Sequence, residues 1–332
     1  MRKILVLIQN DLISSFFSEQ TKAEIEALGE VEWNPYDRAL TEEELIARIP
    51  GVYTLITSWR TTPVTDAVLD AADELKLVAH MAGSIRPVFP NWSVYDRGIR
   101  VLNSNFAIGV SVSENVLALI LALGHKILPV DREMKQGLTK KHVGMETFEL
   151  RGKTVGLVGL GMVAHEVIKL LKPFGVKVLG YDPFVSEAKA SELGVQLAPL
   201  NELMAKSDII SLHAPKVPET YRMIGREQLA LIKDGALFIN TARGDLIDES
   251  ALLEALKQER FSAALDVFEV EPLAADSEFR HLPNVIARPH LAGVNPDSRL
   301  RIGKLMVEDM RRLYQEEQVL FEVKREQLAI MT

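Results

Sequence analysis

Along the first third of the chain, short apolar runs alternate with amphipathic stretches. The runs at 4–8, 31–33, 53–57, 77–80 and 100–102 are too short for helices and predict strands. Between them, apolar positions recur at helical spacing over 14–28, 41–49 and 65–72, and Thr41 with Glu44 forms a capping box that opens the second of these. Strands that alternate with helices predict a parallel sheet covered on both faces. A longer apolar helix is expected over 111–128. The polar stretch that follows, to about residue 150, has little periodicity and reads as an exposed arm or loop containing Lys140, Lys141, His142 and Gly144. A second series opens at Lys153, with strands expected at 154–158, 176–180, 208–212, 236–240, 263–266 and 285–287 and helices near 162–172, 248–258 and 296–317. Two consecutive doubly wound patterns, without an internal repeat, predict an α/β protein of two parallel-sheet domains.

Composition narrows the class. At 332 residues the chain is longer than one hydrophobic core usually organises, which also favours two domains. A net charge of −8 disfavours a nucleic-acid partner. The basic residues Arg299, Arg301, Lys304, Arg311 and Arg312 are interleaved with Glu308 and Asp309 at helical spacing, as on a solvated helix face. The absence of cysteine excludes thiolate nucleophiles, disulfides and cysteine-ligated metals. The apolar run at 4–8 ends at Gln9, Asn10 and Asp11, too short to span a bilayer, so a cytoplasmic protein without a membrane partner is expected.

The most informative stretch is Thr154-Val-Gly-Leu-Val-Gly159-Leu160-Gly161-Met162-Val163-Ala164. Alone, Gly-x-Gly-x-x-Ala fits many glycine-rich turns, but here a strand precedes it and an amphipathic helix follows. Gly159 then permits the tight turn, Gly161 lets a diphosphate approach the backbone, and Ala164 lets helix and strand pack closely. Free N–H groups at the helix start, those of Met162 and Val163 among them, would face the phosphates. Asp182 ends the next strand, about twenty residues further on, where a carboxylate accepts hydrogen bonds from ribose hydroxyls and repels a 2′-phosphate. An ordinary turn carboxylate is the competing reading. With no arginine immediately after it, the pattern favours NAD over NADP.

Three polar sites follow at strand ends, where open α/β sheets bind ligands. Arg243, in Asn240-Thr241-Ala242-Arg243-Gly244, would fork onto a carboxylate and its neighbouring carbonyl, although taken alone it reads more readily as a surface arginine. Asp266 closes an apolar strand and Glu271 precedes Pro272, in what is otherwise a run of solvated acids. His290, after Pro289 and before Leu291-Ala292-Gly293, has small neighbours that leave room for a ligand. The other histidines, His80, His125, His142, His165 and His281 among them, have no comparable context. Reducing a ketone needs a proton donor at oxygen and the reverse reaction needs a base, and histidine serves as either near neutrality. A carboxylate such as Glu271 would orient the imidazole and favour its cation, and Arg243 would stabilise charge developing on oxygen. Such hydride chemistry runs on nicotinamide and needs no metal.

In these residues the chain resembles the D-isomer-specific 2-hydroxyacid dehydrogenase family over nearly its whole length. The resemblance is carried by Gly159-Leu-Gly161, Tyr181-Asp182-Pro183, Leu212-His213-Ala214-Pro215 with Pro218-Glu219-Thr220, Asn240-Thr241-Ala242-Arg243-Gly244, Leu265-Asp266-Val267-Phe268 with Glu271-Pro272, and Pro289-His290-Leu-Ala-Gly293. It implies catalytic roles for Arg243, Glu271 and His290, with Glu271 rather than Glu269 paired to the histidine. It implies cofactor contacts from Thr241 and Ala242, from Asp266 to the nicotinamide carboxamide, from the loop of His213, Ala214, Pro215 and Thr220, and near Gly293. The implied fold is a Rossmann NAD-binding domain over 105–296 and a discontinuous, flavodoxin-like substrate domain of 1–104 and 297–332, with 304–332 packing back on the N-terminal lobe. Two linkers would act as a hinge whose closure excludes water. The long helix near 111 resembles a dimer-forming segment, so a homodimer is expected.

The implied substrate is a small 2-hydroxy or 2-keto acid, yet one loop departs from the family. His80-Met81-Ala82-Gly83-Ser84-Ile85-Arg86-Pro87 stands where backbone amides usually hold the substrate carboxylate, without the common Gly-Val-Gly-x-Asp/Asn pattern. Ala82, Gly83 and Ser84 are its candidate substrate contacts, and Ser84, Arg86 and Arg60 are either specificity residues or merely structural. Met162 and Ala164 also replace a common polar residue and a common third glycine. No regulatory domain is expected after the returning segment. Two readings compete with a dehydrogenase: an NAD(H)-binding sensor or corepressor-like protein, and phosphite oxidation on the same scaffold. Formate dehydrogenases are similar but carry glutamine where Glu271 stands.

Overall fold

A run that is apolar at every position must be buried on both faces, and the first strand shows how. In the computed structural model, which describes residues 1–137 and 147–330, Leu5 and Leu7 enter one hydrophobic cluster while Ile4, Val6 and Ile8 enter another on the opposite face. The first cluster takes Leu45 from helix Glu42–Arg48 and Val68 and Leu69 from helix Asp66–Ala71. The second takes Phe16, Ile25, Ile302, Met306 and Met310 from helices Asn10–Phe16, Glu19–Glu26 and Pro296–Tyr314. Strands β1 (Lys3–Val6), β2 (Glu30–Trp33), β3 (Val52–Thr57), β4 (Leu77–His80) and β5 (Arg100–Asn103) form one sheet in the order β2-β1-β3-β4-β5, every pair parallel. This is the flavodoxin-like order, which reverses between β1 and β3.

The chain end completes this unit. Gly303 lies so close to helix Asn10–Phe16 that an added Cβ would sit 1.8 Å from the Phe16 carbonyl oxygen. Within helix Pro296–Tyr314, the fully buried carboxylate of Asp309 accepts the amides of Leu320 (2.9 Å) and Phe321 (2.8 Å), past the helix end, and pairs with Arg312. The chain is thereby turned along the free edge of β5, where Asn103 donates to the Phe321 carbonyl and Val323 to that of Val101. By its contacts the chain divides into two units, one of Met1–Ile108 and Val294–Thr332, the other of Gly109–Gly293.

The second unit is a seven-stranded sheet. Its strands are β6 (Thr154–Val158), β7 (Lys177–Tyr181), β8 (Gln196–Leu197), β9 (Ile209–Leu212), β10 (Leu237–Asn240), β11 (Ser262–Leu265) and β12 (Val285–Ala287). The order β12-β11-β10-β9-β6-β7-β8 is wholly parallel and reverses between β6 and β9, which is the Rossmann arrangement with one added strand. Gly156 in β6 is fixed by packing: a Cβ there would lie 2.3 Å from Ser207 Oγ and 2.5 Å from Leu203.

Three expectations need correction. The helix expected over 14–28 is two helices, because the Ser18 hydroxyl accepts the Thr21 amide and restarts the chain in a new direction. The long helix runs from Asn105 to Gly124, earlier at both ends than its pattern predicts, and stops before Lys126, which adopts φ 49°. The stretch expected to be an irregular arm opens with another helix, Ile127–Lys135. Lys140, Lys141, His142 and Gly144 lie outside the described residues. Helix Asn105–Gly124 is long and apolar enough to cross a membrane, but Val116, Leu119 and Ile120 are buried and Ser111 and Ser113 are enclosed with them. Those are the surroundings of a core helix.

Candidate active site

At the reversal point of the second sheet, the end of β6 meets the end of β9. Gly159 adopts φ +91°, and a Cβ there would lie 2.6 Å from the Ala214 amide nitrogen and 2.7 Å from the His213 carbonyl carbon. Its glycine is therefore demanded by the chain itself. Gly161 is different. It is the N-cap of helix Met162–Leu171, no side chain caps that helix start, and a Cβ on it would meet no atom within 4 Å. Ala164 is buried against the sheet, whereas Met162 is exposed and Val163 half-buried at the uncapped first turn. Asp182, past the end of β7, accepts the Leu160 amide (2.8 Å) and the Phe184 amide (2.9 Å), so its carboxylate braces the glycine loop.

Two polar atoms at strand ends of this sheet are enclosed without a hydrogen-bond partner among the described residues: His213 Nε2, past β9 beside the loop, and Thr241 Oγ1, past β10. Burial pushes the His213 pKa down to about 4, which keeps its ring neutral. Pro215 and Thr220 form a closed turn in which the Thr220 hydroxyl donates to the Pro215 carbonyl (2.6 Å) and accepts the Val217 amide (3.0 Å), so that hydroxyl is occupied within its own loop. An uncapped helix start, a glycine that internal packing does not require and two unpartnered polar atoms fit a dinucleotide with its diphosphate on the helix.

The ionisable groups converge at the ends of β10, β11 and β12. Asn240 shapes the first loop: its Nδ2 donates to the Arg243 carbonyl (2.9 Å) and its Oδ1 accepts the Ala242 amide (3.0 Å). Gly244 then passes so close to the next loop that a Cβ would sit 2.0 Å from the Phe268 carbonyl carbon, a proximity that sets Arg243 beside the 268–271 segment. Burial draws the Arg243 pKa below its ordinary value, while the charges of Glu271 and Asp245 oppose this, and its guanidinium makes no salt bridge among the described residues. It stays a cation, ready for an anion.

Glu271 Oε1 accepts the Phe268 amide (3.0 Å) and Oε2 lies 2.7 Å from His290 Nδ1. Glu269 points elsewhere, to Arg222 at 2.7 Å. His290 adopts φ +55°, a left-handed backbone that side chains enter at a cost and that recurs at functional sites. Its Nε2 is left for chemistry. Asp266 is fully buried, with its two oxygens accepting the Leu291 (3.0 Å) and Ala292 (2.8 Å) amides, and Gly293 follows, also buried. Asn240 and Gly244 escape a search for chemistry-bearing residues, because they act on backbone geometry, and only their Asn-x-x-Arg-Gly spacing carries any signal.

In the first unit, the candidate substrate loop follows β4. Its carbonyls are tied down: Ser58 donates to Met81 (3.0 Å), Ser104 to Ala82 (3.0 Å) and Asn103 to Gly83 (2.6 Å). The amides of Ala82, Gly83 and Ser84 reach no acceptor among the described residues. Beneath the loop, His80 is buried with Nδ1 2.9 Å from the Thr57 hydroxyl, and burial pushes its pKa down to about 4, offset only in part by the Ser84 backbone. A histidine without apparent context in the sequence is thus a neutral post under this loop. Arg86 stacks over Trp92.

Comparison with known proteins gives the family. Residues 117–292 match the family model of the D-isomer specific 2-hydroxyacid dehydrogenase NAD binding domain. The chain is 39% identical over 274 residues to the D-3-phosphoglycerate dehydrogenase of Archaeoglobus fulgidus, covering 82% of this chain and 51% of that protein. It is 34% identical over 277 residues to the glyoxylate reductase of Korarchaeum cryptofilum, covering 81% and 82%. It thus spans about half the length of the phosphoglycerate dehydrogenases it matches. Among solved structures, an acyclic imino acid reductase in complex with NADPH and D-Arg superposes with a TM-score of 0.81 at 28% identity, over 97% of this chain and 100% of that one.

Proposed function

The chain belongs to the D-isomer-specific 2-hydroxyacid dehydrogenase family, and on that premise we propose that it transfers a hydride between NAD and C2 of a small D-2-hydroxy or 2-keto acid. The observation that carries this reading is the His290–Glu271 pair at 2.7 Å beside Arg243, whose guanidinium makes no salt bridge among the described residues. The nicotinamide, when bound, supplies the hydride for reduction or accepts it in oxidation. His290 Nε2 gives a proton to the carbonyl oxygen in reduction and takes it back in oxidation. Glu271 holds Nδ1, so the ring neither rotates nor changes which nitrogen works. Arg243 binds the substrate carboxylate and stabilises negative charge on the reacting oxygen. Asp182 favours NAD over NADP by repelling a 2′-phosphate. The free amides of Ala82, Gly83 and Ser84 make an anion-binding nest on the first unit.

The test is a panel of 2-keto acids (glyoxylate, hydroxypyruvate, pyruvate, longer and sugar-derived acids) with NADH, and phosphite with NAD. Oxidation of NADH by at least one keto acid is expected. Tight NADH binding with no turnover on any of them would overturn the reading in favour of a sensor, and turnover of phosphite alone would reassign the chemistry.

We also infer a homodimer. Helix Ile127–Lys135 leaves Ile127, Val130 and Met134, three and four residues apart, 52%, 40% and 61% exposed, an apolar stripe that a second copy would cover. Light scattering should give a dimer for the wild type and a monomer for Val130→Glu/Met134→Glu. A monomeric wild type overturns this part.

A further inference from the structure

We propose that Asn115 and Arg288 are positioning residues that hold the backbone turn from which His290 works, an inference that rests on the acid/base role given to His290 above. The turn is built against the end of β11. Arg288 donates its amide to the Leu265 carbonyl (2.9 Å) and His290 donates to that of Asp266 (2.7 Å), so the segment runs beside the strand. At His290 the backbone goes left-handed, and the next two amides, of Leu291 and Ala292, swing back onto the Asp266 carboxylate. Asp266 thus holds the segment on both sides of the strained residue.

A carboxylate with no exposure needs a countercharge, or the cost of desolvating it destabilises the turn it holds. Arg288 provides it, with Nε 3.6 Å from Asp266 Oδ1. The guanidinium is anchored in turn: Nη1 donates to the Oδ1 of Asn115, on helix Asn105–Gly124. Asn115 closes the ring by donating from Nδ2 to the Ala292 carbonyl (3.1 Å) and, more weakly, to the Ser111 carbonyl (3.5 Å). The ring runs Arg288, Asp266, Ala292, Asn115 and back to Arg288. It engages both polar ends of the Asn115 amide and both oxygens of Asp266. A left-handed histidine persists only where its surroundings over-determine it. Glu271 fixes the imidazole by its ring nitrogen, and the Asn115–Arg288 ring fixes the main chain that carries it. Positioning then depends on a contact between residues far apart in the sequence, and a small displacement of the proton donor lowers turnover while the helix start at Gly161 stays as it is.

The variants are Asn115→Leu, Arg288→Met and the conservative Arg288→Lys. Amide hydrogen exchange across 288–293 is compared with exchange in β6 and β10, and kcat on the accepted keto acid with the NADH dissociation constant from fluorescence. Asn115→Leu and Arg288→Met are expected to speed exchange of the Leu291 and Ala292 amides by about tenfold or more while β6 and β10 exchange as in the wild type. They should lower kcat by about 10- to 100-fold, by a larger factor than they weaken NADH binding, and Arg288→Lys should recover most of both. Unchanged exchange at 291 and 292 overturns the inference, as does loss of protection across the whole unit in parallel. If the wild type turns over no keto acid, the function proposed above falls while the exchange measurement still decides whether the ring holds the turn. If the wild type is active and the variants match it, the inference falls alone.

Discussion

His290 has one ring nitrogen to offer, because Nδ1 is held by Glu271 at 2.7 Å. Removing the ring should leave the cofactor cradle intact, since Gly159, Gly161 and Thr241 belong to other loops. His290→Ala is therefore expected to lose about 10²- to 10⁴-fold in kcat while its NADH dissociation constant, read by fluorescence, stays within about twofold. Equal turnover in the variant would remove His290 from the chemistry. Glu271→Gln separates charge from shape, because the amide oxygen can still accept the Phe268 amide; a smaller loss of kcat, again with NADH binding kept, is expected. At this scale the sequence points to Arg243, Glu271 and His290, which the structure brings to the ends of neighbouring strands. Arg243, Glu271 and His290 stand in recognisable company, and the choice of Glu271 over Glu269 rests on Pro272 alone. Residues that act on other residues are mute. Asn115 and Arg288 meet only after two distant segments have folded together, and His80 shows its place only once Thr57 and the loop above it are seen.

Elements were legible where burial writes itself into the pattern. β1 is apolar throughout because both of its faces are covered, and the Thr41–Glu44 box is observed as a reciprocal cap. Apolar periodicity runs on through Phe16 and Phe17 to Ile25, so the break between two helices is set by one hydroxyl, that of Ser18, and is hidden in the pattern. Helix Ile127–Lys135 is easily passed over for another reason: its stripe of Ile127, Val130 and Met134 is short and runs on from the apolar end of helix Asn105–Gly124, with only Lys126 at φ 49° to mark the break. The glycines offer a sharper test of what an element is for. Gly244 is required by its neighbour, since a Cβ would lie within 2.3 Å of three Phe268 and Glu269 backbone atoms. A Cβ on Gly161 would meet nothing within 4 Å among the described residues. Gly244→Ala should thus lower the thermal midpoint and activity together. Gly161→Ala should leave the midpoint of the cofactor-free protein unchanged and weaken NADH binding by about tenfold or more, as expected where a phosphate must approach the backbone. Calorimetry and titration on both variants check the contrast, and a Gly161→Ala protein with wild-type NADH affinity would remove the diphosphate from that helix start.

For the whole molecule, each unit buries a histidine that folding keeps neutral, and this ties its stability to acid. His80 in the first unit and His213 in the second are both pushed by burial from 6.5 to about 4. In the unfolded chain each ring regains an ordinary pKa near 6.5. Between pH 6.5 and 4 the unfolded state therefore binds more protons than the folded one, and stability must fall as pH falls through that window. The contribution is complete above pH 6.5 and gone below about 4, and for His80, at 1% exposure, it amounts to about 3 kcal/mol. Urea unfolding at pH 7 and pH 5 should thus show a marked loss of stability at the lower pH. His80→Gln, which can still meet the Thr57 hydroxyl but does not titrate, should flatten that dependence by the His80 share and leave the rest to His213. Unfolding midpoints that do not move between pH 7 and 5 would mean that these rings protonate in place. The same measurement bears on the proposed function, because His80 stands beneath the loop whose Ala82, Gly83 and Ser84 amides reach no acceptor among the described residues and are proposed to bind an anion. If protonation of His80 pries that loop from Thr57, substrate KM should rise at acid pH before the molecule unfolds, and His80→Gln should abolish that rise while leaving the NADH dissociation constant unaffected.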